Sequence, residues 1–335
     1  MPAIIEDILY DIFCQIGKIP SAKDKSKTTL KESELVKFMM AGKIQMKVSF
    51  DFFKTSKAAV LTDKFIEIIN DSEKSAAFGN EICQIPSISK LLQQKITKLK
   101  CKSLNPNFLP FWDLVKGDIT ELELNDCFFC NHKLMEALRH FNNLEKAVVS
   151  LGIYSFTFIE EISLFCPEMI LRVMPFDQIE NERFENTRQP NIKNLTVEGH
   201  YAINGLQTMS LKRLIRKLTI AFPNLEKLKL VIEDETIENV DAKDVIDLIQ
   251  KPIIEQNFNL IVIFNFTVPQ NLWKDCYFYK TLVNIPEISI TDSKNETKCQ
   301  LLLSDKKFFI INLSSQKINY DNEVEAFSAK RRRIL

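Results

Sequence analysis

Apolar residues recur at steps of three and four through Ile4, Ile5, Ile8, Leu9, Ile12, Phe13 and Ile16, which draws one stripe along a helix. Gly17 ends that pattern, and residues 18–31 follow as a polar, lysine-rich connector with Pro20 and no apolar period, read as a solvated loop. A second helical stretch begins near Glu32, with Leu35, Phe38, Met39, Ile44, Val48, Phe52 and Phe53 at its buried positions. A third covers residues 61–70, with Phe65, Ile66 and Ile69 turned inward.

After about Ile96 the period changes to two, the mark of half-buried strands. Five segments share one outline, L-x-x-L-x-L: Ile96-Thr-Lys-Leu99-Lys-Cys101, Ile119-Thr-Glu-Leu122-Glu-Leu124, Leu144-Glu-Lys-Ala147-Val-Val149, Ile192-Lys-Asn-Leu195-Thr-Val197 and Leu225-Glu-Lys-Leu228-Lys-Leu230. The interval from Leu144 to Ile192 is 48 residues against 23, 25 and 33 for the others, and Pro167-Glu-Met-Ile-Leu171-Arg-Val173 lies inside it as a damaged copy that fits the last two positions and misses the first. Weaker candidates follow at residues 260–264, 285–290 and 308–313. A shared punctuation, Phe141-Asn-Asn143, Gln189-Pro-Asn191 and Phe222-Pro-Asn224, precedes three of the strands, and helical stretches at residues 133–138 and 210–215 lie between them. The repeating unit is therefore strand, turn, helix, turn.

These segments resemble the leucine-rich repeat family, in which each strand joins one parallel sheet and each helix lies on the outer face. The asparagine that follows the strand in that family is recognisable at Asn125. The resemblance implies an irregular solenoid that buries a continuous core and presents a long strand face to partners.

The stretch Asp7-Ile8-Leu9-Tyr-Asp-Ile12-Phe13-Cys-Gln-Ile16 resembles the first helix of an F-box, with Pro2 standing earlier than the proline that opens that motif. The resemblance extends to the divergent F-box proteins that have multiplied in nematodes. It implies that Pro2, Ile8, Leu9, Ile12, Phe13 and Ile16 meet the Skp adaptor of a cullin ubiquitin ligase, while the repeats hold a protein substrate. The same stripe also reads as an amphipathic helix packed into its own domain.

Composition narrows the function. Hydrophobic residues make up 45% and charged residues 26%, enough for a packed core. The 44 basic and 44 acidic side chains cancel, so no overall field favours nucleic acid or an acidic membrane. Seven glycines and the absence of both phosphate-cradling glycine motifs argue against a nucleotide fold. The eight cysteines are scattered, as reduced core thiols are. No apolar run is long enough for a membrane span, and no signal peptide is visible, which together predict a cytoplasmic or nuclear protein.

Other constellations carry less. Cys127-Phe-Phe-Cys130-Asn-His132 offers half of a zinc site and reads as core or turn packing. His132, His140 and His200 are the only histidines to serve a nucleophile, and none stands in a catalytic motif. The acidic residues Glu233, Asp234, Glu235, Glu238 and Asp241 lack calcium-loop spacing. Trp112 and Trp273 are candidate interface anchors or core residues, and Lys330 to Arg333 read as an import signal or a solubilising tail.

The expected fold is α/β: a small F-box-like helical module over residues 1–75, an irregular leucine-rich-repeat-like solenoid of parallel strands and outer helices over 76–320, and a basic tail over 321–335. The expected function is a non-catalytic, cofactor-free and metal-free substrate adaptor, with a Skp-type adaptor, a cullin ligase and a protein substrate as partners. The alternative is a ligase-independent scaffold or inhibitor that neutralises a protein partner. An enzyme with an unrecognised site is the third class.

Overall fold

The structure, a computed structural model, describes residues 8–13, 15, 37–39, 41–79, 82, 83, 85–102, 109–115, 117–125, 141–151, 166–173, 188–200, 211–234, 241–269, 277–292, 296–304 and 307–316. The chain is α/β, with mostly parallel strands, and divides into two compact units: Met1–Arg172 with Thr187–Asn194, and Val173–Asn186 with Leu195–Leu335.

In the first unit a helical segment at residues 8–13 and another at 37–39 precede α1 (Lys43–Lys54). Val48, Phe52 and Phe53 give α1 its buried stripe. It ends where Thr55 and Ser56 turn their hydroxyls back onto the Phe52 carbonyl, at 3.1 and 3.2 Å, and so satisfy an acceptor that the helix leaves open. Strands β1 (Ser56–Leu61), β2 (Ile66–Asn70) and β3 (Ser75–Phe78) follow as an antiparallel set. Next come α2 (Pro86–Lys95), opened by Pro86 at its first turn, then β4 (Lys98–Cys101), α3 (Leu109–Val115), β5 (Glu121–Leu124), β6 (Lys146–Leu151) and β7 (Glu168–Val173). The spatial order is β3-β2-β1-β4-β5-β6-β7, with β1, β4, β5 and β6 parallel.

The repeated motif stacks on itself without a slip. Ala59, Leu99, Leu122 and Ala147 stand opposite one another, as do Leu61, Cys101, Leu124 and Val149, and all eight are buried. The carbonyl of the motif's second residue also repeats its role. Thr97 O accepts from Thr120 and Glu121 N–H at 2.8 and 3.1 Å, Thr120 O accepts from Glu145 and Lys146 at 2.8 and 3.0 Å, and Pro167 O accepts from Lys193 and Asn194 at 2.9 and 3.0 Å. Among the described residues Glu145 O receives only the N–H of Glu168, at 3.3 Å, because Pro167 has none to give.

That bonding corrects the reading of the damaged copy. Pro167 is its second residue, so its buried positions are Cys166, Met169 and Leu171, and no first position is missing. Cys166 fills the first position because its small thiol packs as an apolar group. The same bond, from Thr97 N–H to Lys57 O at 3.1 Å, makes Ser56-Lys-Ala-Ala59-Val-Leu61 a further copy.

The helix expected over residues 61–70 does not form. Leu61 ends β1, residues 62–65 turn around the Thr62 hydroxyl, which accepts from Lys64 and Phe65 N–H at 3.2 and 3.1 Å, and Ile66 begins β2. The burial of Ile66, Ile68 and Asn70 alternates with that of Glu67 and Ile69, a period of two in a β-branched run. Helical structure thus gives way to strands at Ser56, and the expected module border at residue 75 is the first residue of β3.

The second unit contains β8 (Asn194–His200), α4 (Leu211–Ala221), β9 (Lys227–Asp234), α5 (Ala242–Ile254), β10 (Asn259–Pro269), α6 (Tyr277–Leu282), β11 (Ser289–Asp292), β12 (Glu296–Ser304) and β13 (Lys307–Gln316). Their order is β8-β9-β10-β13-β12-β11. β9, β10 and β13 run parallel, while β11 and β12 return antiparallel, so this end departs from the expected strand-helix alternation. Leu211, Leu214, Ile215 and Leu218 form the buried stripe of α4. Lys307 reaches the C-terminal end of α5, where its Nζ donates to Ile254 O at 2.6 Å and to Gln256 O.

Candidate functional site

The N-terminal apolar stripe divides in two. Phe13 is wholly buried, its ring 5.8, 5.2, 6.3 and 6.2 Å from those of Phe38, Phe52, Phe53 and Phe78. Ile8 and Ile12 stay 55% and 41% exposed, and Leu9 is half-buried. Ile44, two turns before Phe52 on α1 and on the same helical face, is 46% exposed. Pro2 and Ile16 lie outside the described residues.

The segment is fastened to the β2–β3 hairpin. Asn70 Nδ2 donates to Tyr10 Oη, Lys74 Nζ donates to Asp11 Oδ1 at 2.9 Å, and the same ammonium stands 4.8 Å from the centre of the Tyr10 ring. Asn70 is itself held by its own turn, since its Oδ1 accepts from Lys74 N–H at 2.9 Å. Isoleucines 8 and 12 are therefore presented by a backbone whose position is set by Phe13 and Tyr10.

A second surface is the strand face opposite the buried positions of the first unit. Register places Ala58, Lys98, Glu121 and Lys146 in one row and Val60, Lys100, Glu123 and Val148 in the next. Lys98 pairs with Glu121 at 2.7 Å and Lys146 with Glu168 at 3.1 Å. Glu123 Oε1 collects three donors, Lys100 Nζ at 2.8 Å, Asn125 Nδ2 at 2.9 Å and Arg172 Nη1 at 3.0 Å, and Ser150 Oγ donates to Asn125 Oδ1 at 3.0 Å. Burial pushes the Glu123 carboxyl up, but the hydrogen bonds from Lys100, Asn125 and Arg172 and the charge of Lys100 outweigh it and hold the group below its ordinary 4.5. Asn125, the one repeat asparagine legible in the sequence, thus joins neighbouring strands through its side chain.

Beside this lattice lies a trough of about 220 Å3 with Ala58, Val60, Ile69 and Val148 among its apolar lining and Lys98, Lys100, Glu121, Glu123 and Lys146 around it. An apolar hollow ringed by both signs of charge suits the side chains of another protein.

The remaining candidates fall elsewhere. Trp112 is buried edge-on against Phe141 at 5.3 Å, so it serves the core and not an interface. Cys127, Cys130, His132, His140, Trp273 and residues 330–333 lie outside the described residues. Among those described, no three His, Cys, Asp or Glu side chains could hold a metal ion, and no helix is long and apolar enough to cross a membrane. Among known proteins, no family model matches the chain and no curated protein matches it.

Proposed function

We propose that the chain is a substrate-recognition adaptor of a Skp–cullin–F-box type ubiquitin ligase, with an F-box-like N-terminal segment and an irregular leucine-rich-repeat-like solenoid. The Skp-type adaptor docks on Ile8, Ile12 and Ile44, and the strand face holds a protein substrate. The chain then works by raising the effective concentration of the substrate near the ligase, with no catalytic residue of its own.

The exposure of Ile8 and Ile12 on a segment fixed by Phe13 is the observation that carries this reading. A structural helix would turn both isoleucines inward, whereas neighbouring exposed aliphatics on a rigid support are what a helical partner covers. The in-register repeats support the second half, because stacked units of this kind expose one long strand face.

A pull-down of the full chain with a purified Skp adaptor tests the proposal. Wild type is expected to bind, and an Ile8→Glu, Ile12→Glu variant to lose binding with its circular dichroism unchanged. Failure of well-folded wild type to bind would overturn the proposal.

A second reading, a ligase-independent scaffold or inhibitor, draws on the burial of Phe13 and the Asn70 and Lys74 links to Tyr10 and Asp11. Those contacts suit a helix that seals the end of its own sheet. This reading expects binding of a protein partner through the strand face and none to the Skp adaptor.

A further inference from the structure

Lys243, Asp247, Gln250 and Ile254 stand at steps of four, three and four along α5, so they share one face, and all four are exposed. Between this face, the turn after α6 at residues 284–287 and Leu301 of β12 lies a groove of about 400 Å3. A second hollow of about 350 Å3 shares Asp247 and Gln250 with it and continues to Ile254 and Glu255. Both lie wholly within the second unit.

The lining has two chemistries. Ile246 and Leu301 are buried beneath the groove and Ile285 is half-buried, which gives it an apolar floor. Asp247, Glu287 and Lys243, the one cation of the lining, stand exposed around it, and among the described residues neither carboxylate has a hydrogen-bond or ion-pair partner, Lys243 included. The contrast with Glu255 is direct, since that carboxylate is occupied by Lys212 at 3.1 Å. Two unpaired carboxylates outnumber the single lysine beside a floor that takes an aliphatic group, and this balance defines what fits: a cation with an apolar side chain close to it in sequence.

We propose that this groove binds a segment of a partner protein in which an arginine or lysine is followed within three residues by leucine, isoleucine or valine. The cation meets Asp247 and Glu287, and the aliphatic group covers the floor or the exposed Ile254. Arginine is the better fit, because its planar fork can engage a carboxylate with two parallel hydrogen bonds. A partner with acidic residues in place of the cation is rejected by like charge. The surface is independent of the N-terminal segment and does not rest on the ligase reading.

The test uses the full chain with methyl-labelled isoleucine and leucine and two probe peptides, acetyl-Arg-Leu-Leu-amide and acetyl-Glu-Leu-Leu-amide. The arginine peptide is expected to shift the methyl signals of Ile246, Ile254, Ile285 and Leu301 with a dissociation constant on the order of 1 mM, and the glutamate peptide to leave them in place. An Asp247→Lys, Glu287→Lys variant is expected to bind the arginine peptide at least about tenfold more weakly at an unchanged melting temperature, and Asp247→Asn with Glu287→Gln to move in the same direction. Equal shifts from both peptides, or arginine binding that survives the charge reversal, would overturn the proposal. So would self-association of the chain that the charge reversal abolishes, which gives the groove to a second copy. Binding that emerges only once Lys330 to Arg333 are neutralised would overturn it as well, by giving the groove to the chain's own basic run.

Discussion

The ring of Phe13 lies 5.2 Å from that of Phe52, tilted by 58°, and this pair joins the N-terminal segment to α1. Ile12, the residue beside Phe13, is 41% exposed. One helical turn therefore carries both an anchor and a free apolar surface. Replacing Phe13 by alanine is expected to cost about 3–5 kcal/mol, the range for a buried aromatic that leaves a cavity. Replacing Ile8 or Ile12 by alanine is expected to cost less than about 0.5 kcal/mol. Urea unfolding of the three variants checks this, and a large loss with Ile12→Ala would mean that its side chain is covered.

Glu123 links stability to pH. Its carboxyl is held below the ordinary 4.5 in the folded chain, so the charged form is the stabilising one. The contribution is complete above about 4.5 and is lost as pH falls through the depressed folded value. A Glu123→Gln variant removes the charge that Lys100 and Arg172 share. It is expected to be about 1–2 kcal/mol less stable than wild type at pH 7, because the carboxylate is partly exposed and its ion pairs are partly screened. The gap should close on acidification below 4.5, where wild type also loses the charge. Denaturation midpoints at pH 7, 4 and 3 measure it, and a gap that stays constant across that range would separate the network from stability.

The strands that the sequence makes legible are those whose buried positions carry large aliphatics, such as Ile119, Leu122 and Leu124. β1 escapes the same reading because Ser56 and Ala59 fill its first and fourth positions, and the Ser56 hydroxyl is satisfied by Phe52 O from the preceding helix. β2 reads as helix because Phe65, Ile66 and Ile69 fall at steps of three and four, whereas its burial alternates through Ile66, Ile68 and Asn70, and its antiparallel pairing with β1 and β3 decides between the two. The site divides along the same line. A stripe at helical spacing marks Ile8, Ile12 and Phe13 alike, and nothing in one sequence tells which of them faces the Phe52 ring and which faces outward. The groove beside α5 left no signal, because Asp247, Glu287 and Leu301 come together only through the packing of α5, a turn and β12.

The turn between β2 and β3 contains a correctable strain. Glu73 has a φ of 60°, in the left-handed region that glycine enters without a penalty from Cβ. Its N–H donates to Asn70 O at 3.0 Å and Asn70 N–H donates to Lys74 O at 3.0 Å, so the hairpin fixes this conformation. A Glu73→Gly variant is expected to gain about 0.5–1 kcal/mol, and Glu73→Asn a smaller amount. The neighbouring Ser72→Gly change should give no gain, because no positive φ calls for it. Thermal melts of the three variants are the measure, and a loss with Glu73→Gly would show that the turn tolerates its side chain without cost.

Cys166 should be chemically silent in the folded chain. Burial pushes its thiol up to about 12, against 9.0 for an unperturbed group, even though hydrogen bonding with the backbone of Glu168 and Ala147 pulls the other way; its Sγ lies 2.8 Å from Glu168 O. Only the thiolate attacks an alkylating reagent, so between pH 7 and 9 the reactive fraction of Cys166 is negligible and access is blocked as well. Brief treatment of the native chain with iodoacetamide, read by mass spectrometry of its peptides, is expected to leave Cys101, Cys166 and Cys299 unmodified while the half-buried Cys83 reacts. The Cys83 adduct should grow with exposure time, and the Cys166 signal should stay flat. In concentrated urea all four should react alike, because the cause of the difference is the fold. Rapid native labelling of Cys166 would mean that the copy of the repeat starting at Cys166 opens readily, and the motif frame of Cys166, Met169 and Leu171 would then no longer describe a packed layer.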